Sequence, residues 1–347
     1  MALQKLPPDF DFEKIEIYKK ALSANAALAE LNGLVISIPN YELLLQPLTA
    51  REAVASSEIE HIYTTTLELL QAELLPQGDL SLAQKETLNY KKALLDSFKS
   101  IKESGKIDID TLIELQAQIV PEKSGIRKRE VYIGSRDGRI IYTPPKADEI
   151  QDLLENLESY IADDNGLDEL IKMAVIHYQF EAIHPFLDGN GRAGRILMIL
   201  YLTLKSRLRF PVLFLSGYIV EYKKRYYELF KLVEIDNNWT EWVLFFLNGV
   251  EIMAKETTKR VLEIKELEVK YRNIAKTQIP RVDSQDLVNY LLSKAFYNQT
   301  DMAKNLNLSR QTASKYLKLM MTKGYLESRI IDGRKLYFIQ EFIEVVS

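Results

Sequence analysis

The chain contains no cysteine. Disulfide staples and thiolate metal centres are therefore excluded, and the absence fits a reducing cytoplasm. Histidine is almost as scarce. His61, His177 and His184 are the whole set, too few for a histidine-rich metal cluster. With only 14 Gly and 11 Pro in 347 residues, low-complexity and fibrous classes fall away. No apolar run approaches the length of a membrane span, and the opening Met1-Ala2-Leu3-Gln4-Lys5-Leu6 lacks a signal-peptide core. A net charge of −4 argues against a surface built throughout for nucleic acid. What is plentiful is Leu, Ile, Lys and Glu, with 47% hydrophobic and 27% charged residues. That composition predicts a mainly helical protein, long enough for two or three domains.

One stretch concentrates chemistry: His184-Pro185-Phe186-Leu187-Asp188-Gly189-Asn190-Gly191-Arg192-Ala193-Gly194-Arg195. A helical apolar pattern ends at Pro185, and another begins beyond the glycines. Glycines at a loop-to-helix junction let backbone N–H groups approach an anion, which the helix dipole favours. Arg192 and Arg195 add bidentate phosphate donors. Asp188 offers the hard oxygen that magnesium prefers when it bridges phosphates. The imidazole of His184 has an ordinary pKa near neutrality and is the natural proton acceptor. These residues predict a magnesium–polyphosphate site with its own general base.

Around it the periodicity predicts helices. The first runs over about 15–31. A second spans 50–75, with Thr49 as N-cap and Glu52 three positions on, and carries Ser56 and Glu60 on one face. Residues 83–105 form a helix with an exposed basic side (Lys91, Lys92, Lys99, Lys102), followed by helices over 108–120, 147–162 and 167–183. His177, on the last of these, reads as a core histidine. Val131-Tyr132-Ile133-Gly134 and Ile140-Ile141-Tyr142 flank Asp137-Gly138 and predict a hairpin, along whose edge a peptide can pair. Ile196–Leu202 is apolar on every side, the mark of a buried helix. Tyr226 and Tyr227 are candidates for stacking on a base. A charged helix over 251–278 reads as a strut. Beyond it, helices at 285–292, 300–306 and 309–318, then strands around Asp332-Gly333, give a helix-turn-helix with a β-ribbon.

The twelve-residue stretch matches, at every defined position, the His-Pro-Phe-x-(Asp/Glu)-Gly-Asn-Gly-Arg-x-x-Arg signature, and the chain resembles the Fic-domain proteins. The resemblance implies a mainly α fold: a Fic helical core with a β-hairpin flap over 107–250, an N-terminal helical region over 1–106, a connecting helix over 251–279, and a C-terminal winged helix-turn-helix domain over 280–347. It implies transfer of AMP from ATP to a Ser, Thr or Tyr hydroxyl of a target protein, the chain itself among the candidates, with release of pyrophosphate. On that basis His184 takes the hydroxyl proton and Asp188 binds Mg2+. Gly189, Asn190, Gly191, Arg192, Gly194 and Arg195 bind ATP, with Tyr226 near the adenine, while Val131, Tyr132, Ile133 and Gly134 form the flap that docks the target.

The run Ser56-Ser57-Glu58-Ile59-Glu60 is similar to the inhibitory (S/T)xxxE(G/N) motif of the family, whose Glu pairs with the last motif arginine, here Arg195. His61 stands where that pattern has Gly or Asn. The rival expectations are a bifunctional or AMP-removing enzyme, and a nucleotide-sensing regulator that binds DNA through 280–347. The resemblance is compatible with a homodimer and implies no membrane partner.

Overall fold

The computed structural model describes residues 3–38, 40–134, 140–279, 282–331 and 333–347. Asp137-Gly138 and Asp332, named above as turn residues, lie outside the described residues. In chain order the elements are α1 (Ile15–Ile36), α2 (Glu42–Ile59), α3 (Thr66–Ala72), α4 (Leu82–Ser104), α5 (Ile109–Ile119), β1 (Ile133–Gly134), β2 (Ile140–Tyr142), α6 (Ile150–Ala162), α7 (Glu169–Ile183), α8 (Asn190–Leu204), α9 (Leu215–Glu221), α10 (Lys223–Asp236) and α11 (Trp239–Gln278). The C-terminal part consists of α12 (Ser284–Leu292), α13 (Gln299–Asn305), α14 (Arg310–Thr322), β3 (Glu327–Ile331), β4 (Arg334–Phe338) and α15 (Gln340–Val346).

At the centre α7 packs against α8. Every residue from Leu170 to Ile183 is buried, as are Ile196–Thr203, so these two helices have no solvent face. The Asp168 carboxylate caps α7 by accepting from the Leu170 N–H at 2.9 Å. The helix ends where His184 takes a left-handed conformation, φ 50°, just before Pro185, which cannot continue it.

Three sequence expectations need correction. The predicted helix over 50–75 is two helices. α2 already starts at Glu42, carries Pro47 inside it and stops at Ile59, while Thr65 caps the separate α3. Thr49 is thus no N-cap: it is buried mid-helix, and its hydroxyl donates to the Leu45 carbonyl at 2.5 Å. Glu52 is equally buried and accepts from the Ser216 N–H and the Tyr90 hydroxyl, both at 3.1 Å. Lys91 is not on an exposed face, because its ammonium is drawn inward to Gln46 Oε1 and Glu73. The strut over 251–278 has no separate start. α11 runs unbroken for 40 residues, about 60 Å at 1.5 Å per residue, and packs on α1, α7, α9 and α10 before reaching α12 and α15.

Both hairpins are antiparallel pairs, β1 with β2 (Ile133 opposite Tyr142) and β3 with β4 (Glu327 opposite Phe338). No helix of the described residues is long and apolar enough to cross a membrane.

Candidate active site

The loop from His184 to Gly189 is held by side chains that spend their polar groups on its backbone. Asn190 accepts from the Phe186 N–H and donates to the Phe186 carbonyl, both at 2.9 Å. Its amide is therefore a staple that holds the loop, and its backbone N–H lies at the start of α8. The buried Arg127 donates from Nε to the His184 carbonyl at 2.8 Å and from Nη2 to the Pro145 carbonyl at 2.5 Å. Gln116 donates to the Asp188 carbonyl at 3.0 Å. Gly189, at φ 82°, caps α8 in a conformation that costs a side-chain-bearing residue. The N-terminus of α8 is thereby fixed before any ligand arrives.

Burial lowers the pKa of the His184 imidazole to about 4, against the opposite pull of the Glu181 carbonyl. The ring is neutral at pH 7, and its Nδ1 has no hydrogen-bond partner among the described residues. His177, expected in the core, is there: Nδ1 lies 3.2 Å from the Gly194 carbonyl and Nε2 3.1 Å from the Tyr226 hydroxyl.

Arg195 is fully enclosed. Its Nε donates to Ser56 Oγ at 2.7 Å and its Nη2 to the Ser56 carbonyl at 3.0 Å. The same Nη2 donates to Glu60 Oε1 at 2.9 Å. That carboxylate lies over Gly191: a Cβ built there would come within 2.3 Å of Glu60 Oε1. Glu60 therefore lies between the first turn of α8 and the Arg195 guanidinium. Burial alone would raise the Glu60 carboxyl, but the Arg195 guanidinium overrides it and holds the group below the ordinary carboxylate range. Lys223 reinforces this end of α2 by donating to the Ile59 carbonyl at 2.7 Å.

Arg192 is also buried, reaching Glu86 Oε2 at 3.1 Å and Asp188 Oδ1 at 3.6 Å. Asp188 Oδ2 is 2.6 Å from the Lys123 ammonium. Among the described residues no group of three or more His, Cys, Asp or Glu assembles a metal cage. Asp188 alone still fits magnesium. It is a partly exposed hard oxygen donor, and magnesium characteristically takes one or two carboxylates and completes its shell with phosphate and water.

The hairpin lies beside this loop, because the Tyr142 hydroxyl donates to the Ala182 carbonyl in the last turn of α7 at 2.9 Å. Tyr132 is exposed, Val131 and Ile133 are half-buried, and β1 pairs only with β2 among the described residues. Tyr226 departs from the adenine-stacking expectation. It is 5% exposed, with its hydroxyl on His177 and its ring against Tyr227 and Trp242, which leaves no face open for a base. Tyr227 is the half-exposed ring of the pair.

Sequence reasoning missed Arg127, Gln116, Lys123, Glu86, Lys223 and Glu181. Each lies outside the motif or ahead of it, and all but Glu181 meet the site only through tertiary contacts.

The description "Fic/DOC family N-terminal" matches residues 18–99, "Fic/DOC family" matches 106–202, and "Protein adenylyltransferase SoFic-like, C-terminal domain" matches 267–342. The protein adenylyltransferase fic-1 of Caenorhabditis elegans is 28% identical over 171 residues, which is 47% of this chain and 31% of that protein. The protein adenylyltransferase Fic of Drosophila ananassae is 25% identical over 201 residues, 52% of this chain and 38% of its own length. The matched part is thus about a third of each curated relative. A solved Fic family protein from Desulfovibrio desulfuricans G20 shares the fold over 96% of this chain and 98% of its own, with TM-score 0.62 and 18% identity. From residue 18 to residue 342 the successive matches all point one way, and the chain belongs to the Fic/DOC family.

Proposed function

We propose that the chain transfers the AMP moiety of ATP to a Ser, Thr or Tyr hydroxyl of a target protein, with itself among the candidate acceptors, and that Glu60 holds it in a restrained state. The observation that carries this reading is the Glu60 carboxylate seated on Arg195 and Gly191, where an outer phosphate would bind. The adenylyltransferase names of the matched relatives support the reaction type.

In this reading His184 Nε2 accepts the proton of the target hydroxyl as its oxygen attacks the α-phosphorus. The bond from that phosphorus to its bridging oxygen breaks, and pyrophosphate leaves. The neutral imidazole is free to accept, and the negative phosphates of bound ATP raise its low pKa towards the working range. Arg192 and the N–H groups at the start of α8 hold phosphate oxygens. Magnesium carried by the nucleotide, anchored by Asp188, would supply charge neutralisation at the α- and β-phosphates. A segment of the target pairs along β1, with Val131–Gly134 as its dock. Residues 107–250 carry the chemistry, and 1–106 supply the restraint through α2.

The test is labelling with ATP radioactive at the α-phosphate. The variant Glu60→Gly should raise protein labelling at least about tenfold, in proportion to the factor of ten per 1.4 kcal/mol expected from loss of one buried ion pair. His184→Ala in that background should abolish it, and γ-labelled ATP should give no label. A Glu60→Gly variant that transfers nothing overturns the proposal.

A further inference from the structure

The charge of the chain is unevenly divided. Residues 280–347 hold ten Lys and Arg against seven Asp and Glu, in a protein whose net charge is −4. Within that part α14 has no acidic residue. Ala313, Tyr316, Leu317 and Met320 face inward, and Arg310, Gln311, Lys315 and Lys318 are exposed on the outer side. The ion pairs of this part fall elsewhere among the described residues, at Lys294–Asp301 and Lys270–Glu341.

The mounting of α14 is rigid. Ser309 caps it by accepting from the Thr312 N–H at 3.1 Å. Asn307, at φ 49°, makes the turn from α13, and Gln299 donates to the Arg310 carbonyl at 2.9 Å, tying the two helices together. Tyr297, just ahead of α13, exchanges backbone hydrogen bonds of 3.0 and 2.8 Å with Tyr337, so the β3–β4 hairpin is joined to the same body. Arg329 and Lys335 of the hairpin are exposed, while Arg334 is spent on the Leu74 carbonyl at 3.2 Å.

We propose that the outer face of α14, flanked by the β3–β4 hairpin, binds double-stranded DNA. The order of a helix, a turn, a second exposed helix and a β-ribbon is the one that places the second helix in the major groove. Arg310 and Gln311 in its first turn would meet base edges, while Lys315, Lys318 and the hairpin cations meet phosphates. A protein partner fits less well. Protein interfaces are anchored by buried aromatic and apolar side chains, and the outward face of α14 presents amide, hydroxyl and ammonium groups. Ile330, at the hairpin, is the one large apolar side chain exposed nearby among the described residues.

The test uses the full chain without nucleotide and a fluorescein-labelled mixed-sequence duplex, followed by anisotropy. Binding should be measurable at 50 mM salt and fall about 100-fold by 200 mM, the loss expected of roughly four neutralised phosphates. Arg310→Ala combined with Lys315→Ala and Lys318→Ala should weaken binding at least about tenfold and flatten the salt slope. Lys255→Ala with Lys259→Ala on α11 should change nothing. His184→Ala should bind as the parent does, which separates this result from the AMP-transfer proposal. No anisotropy change at 50 mM, or a triple variant that binds like the parent while its circular dichroism is unchanged, overturns the proposal and leaves this face to a protein partner.

Discussion

Glu181 lies one turn before His184 on α7, and its carboxyl is buried. Burial raises its pKa to about 8, although Arg195 pulls it down, while Glu60 adds to the rise. One of its oxygens, Oε1, has no hydrogen-bond partner among the described residues. It fits only because Gly194 faces it: a Cβ there would come within 2.2 Å of Oε1. Between the ordinary carboxylate pKa and about 8, the folded chain keeps a proton that the unfolded chain has released. Stability therefore falls as pH rises through that window. Glu60 has the opposite sign: its lowered pKa contributes stability that is present above the ordinary value and is lost as pH falls. Replacing Glu181 by Gln removes the titration and keeps the shape. At pH 5 the two proteins should be nearly equal in stability. At pH 8 the Glu181→Gln chain should be more stable by about 4 kcal/mol, because the rise from the ordinary value to about 8 is worth about 1.4 kcal/mol for each tenfold change in proton affinity on folding. Urea midpoints at the two pH values decide it, and parallel profiles would mean that Glu181 is ionised in the fold.

At the level of elements, the end of α2 carries the proposed restraint. Ile59 is its last residue, Glu60 its C-cap, and His61 follows at φ 64°. That left-handed position is where helices usually place Gly or Asn, the two residues of the family motif that this sequence lacks. The end is closed all the same: the His61 N–H donates to the Glu58 carbonyl and the Ile62 N–H to the Ser57 carbonyl, both at 3.0 Å. His61→Gly should relieve the strain and stabilise the chain by about 0.5–1 kcal/mol, leaving the Glu60–Arg195 pair intact and AMP labelling no higher than in the parent. If labelling instead rises as it should in Glu60→Gly, the His61 ring, 3.2 Å from the Tyr63 hydroxyl, holds the restraint rather than the backbone.

The same helix marks how far the sequence can be read. The residues from His184 to Arg195 are legible because their chemistry is contiguous and repeats no structural period. Glu60 is legible only through a motif resemblance, since nothing local links it to Arg195. The limits of α2 are easily misread because Pro47 and Thr49 look like a helix start, and only tertiary packing holds a helix through a proline. Arg127 and Glu86 are invisible for a related reason. Each reads as an ordinary surface charge until the fold brings it to His184 or Arg192.

On the scale of the whole molecule, the C-terminal part and α2 meet at one guanidinium. Arg51, on α2, donates from Nη1 to the Ser347 carbonyl at 2.9 Å and from Nη2 to Glu256 of α11 at 3.2 Å. It lies over the Phe214 ring at 4.9 Å. Burial, with Arg260 nearby, lowers its pKa to about 10 against the pull of Glu256, so it remains charged at neutral pH. Arg260 adds a second tie from α11 to the Val345 carbonyl at 2.5 Å, and α15 packs on both α2 and α11. Glu60 thus sits on a helix whose outer side is pinned by α15 and whose inner side is pinned by Glu52 and Ser56. Removing the outer pin should loosen the inner one. Arg51→Ala should cost about 1–3 kcal/mol of stability through the charged hydrogen bonds it breaks. It should also raise AMP labelling a few-fold, well short of Glu60→Gly, because the Arg195 pair survives. Limited proteolysis between α11 and α12 should accelerate in step. Faster cleavage with unchanged labelling would show that α15 is docked on α2 without bearing on Glu60; a rise in both would make the C-terminal part the handle by which a bound partner reaches the active site.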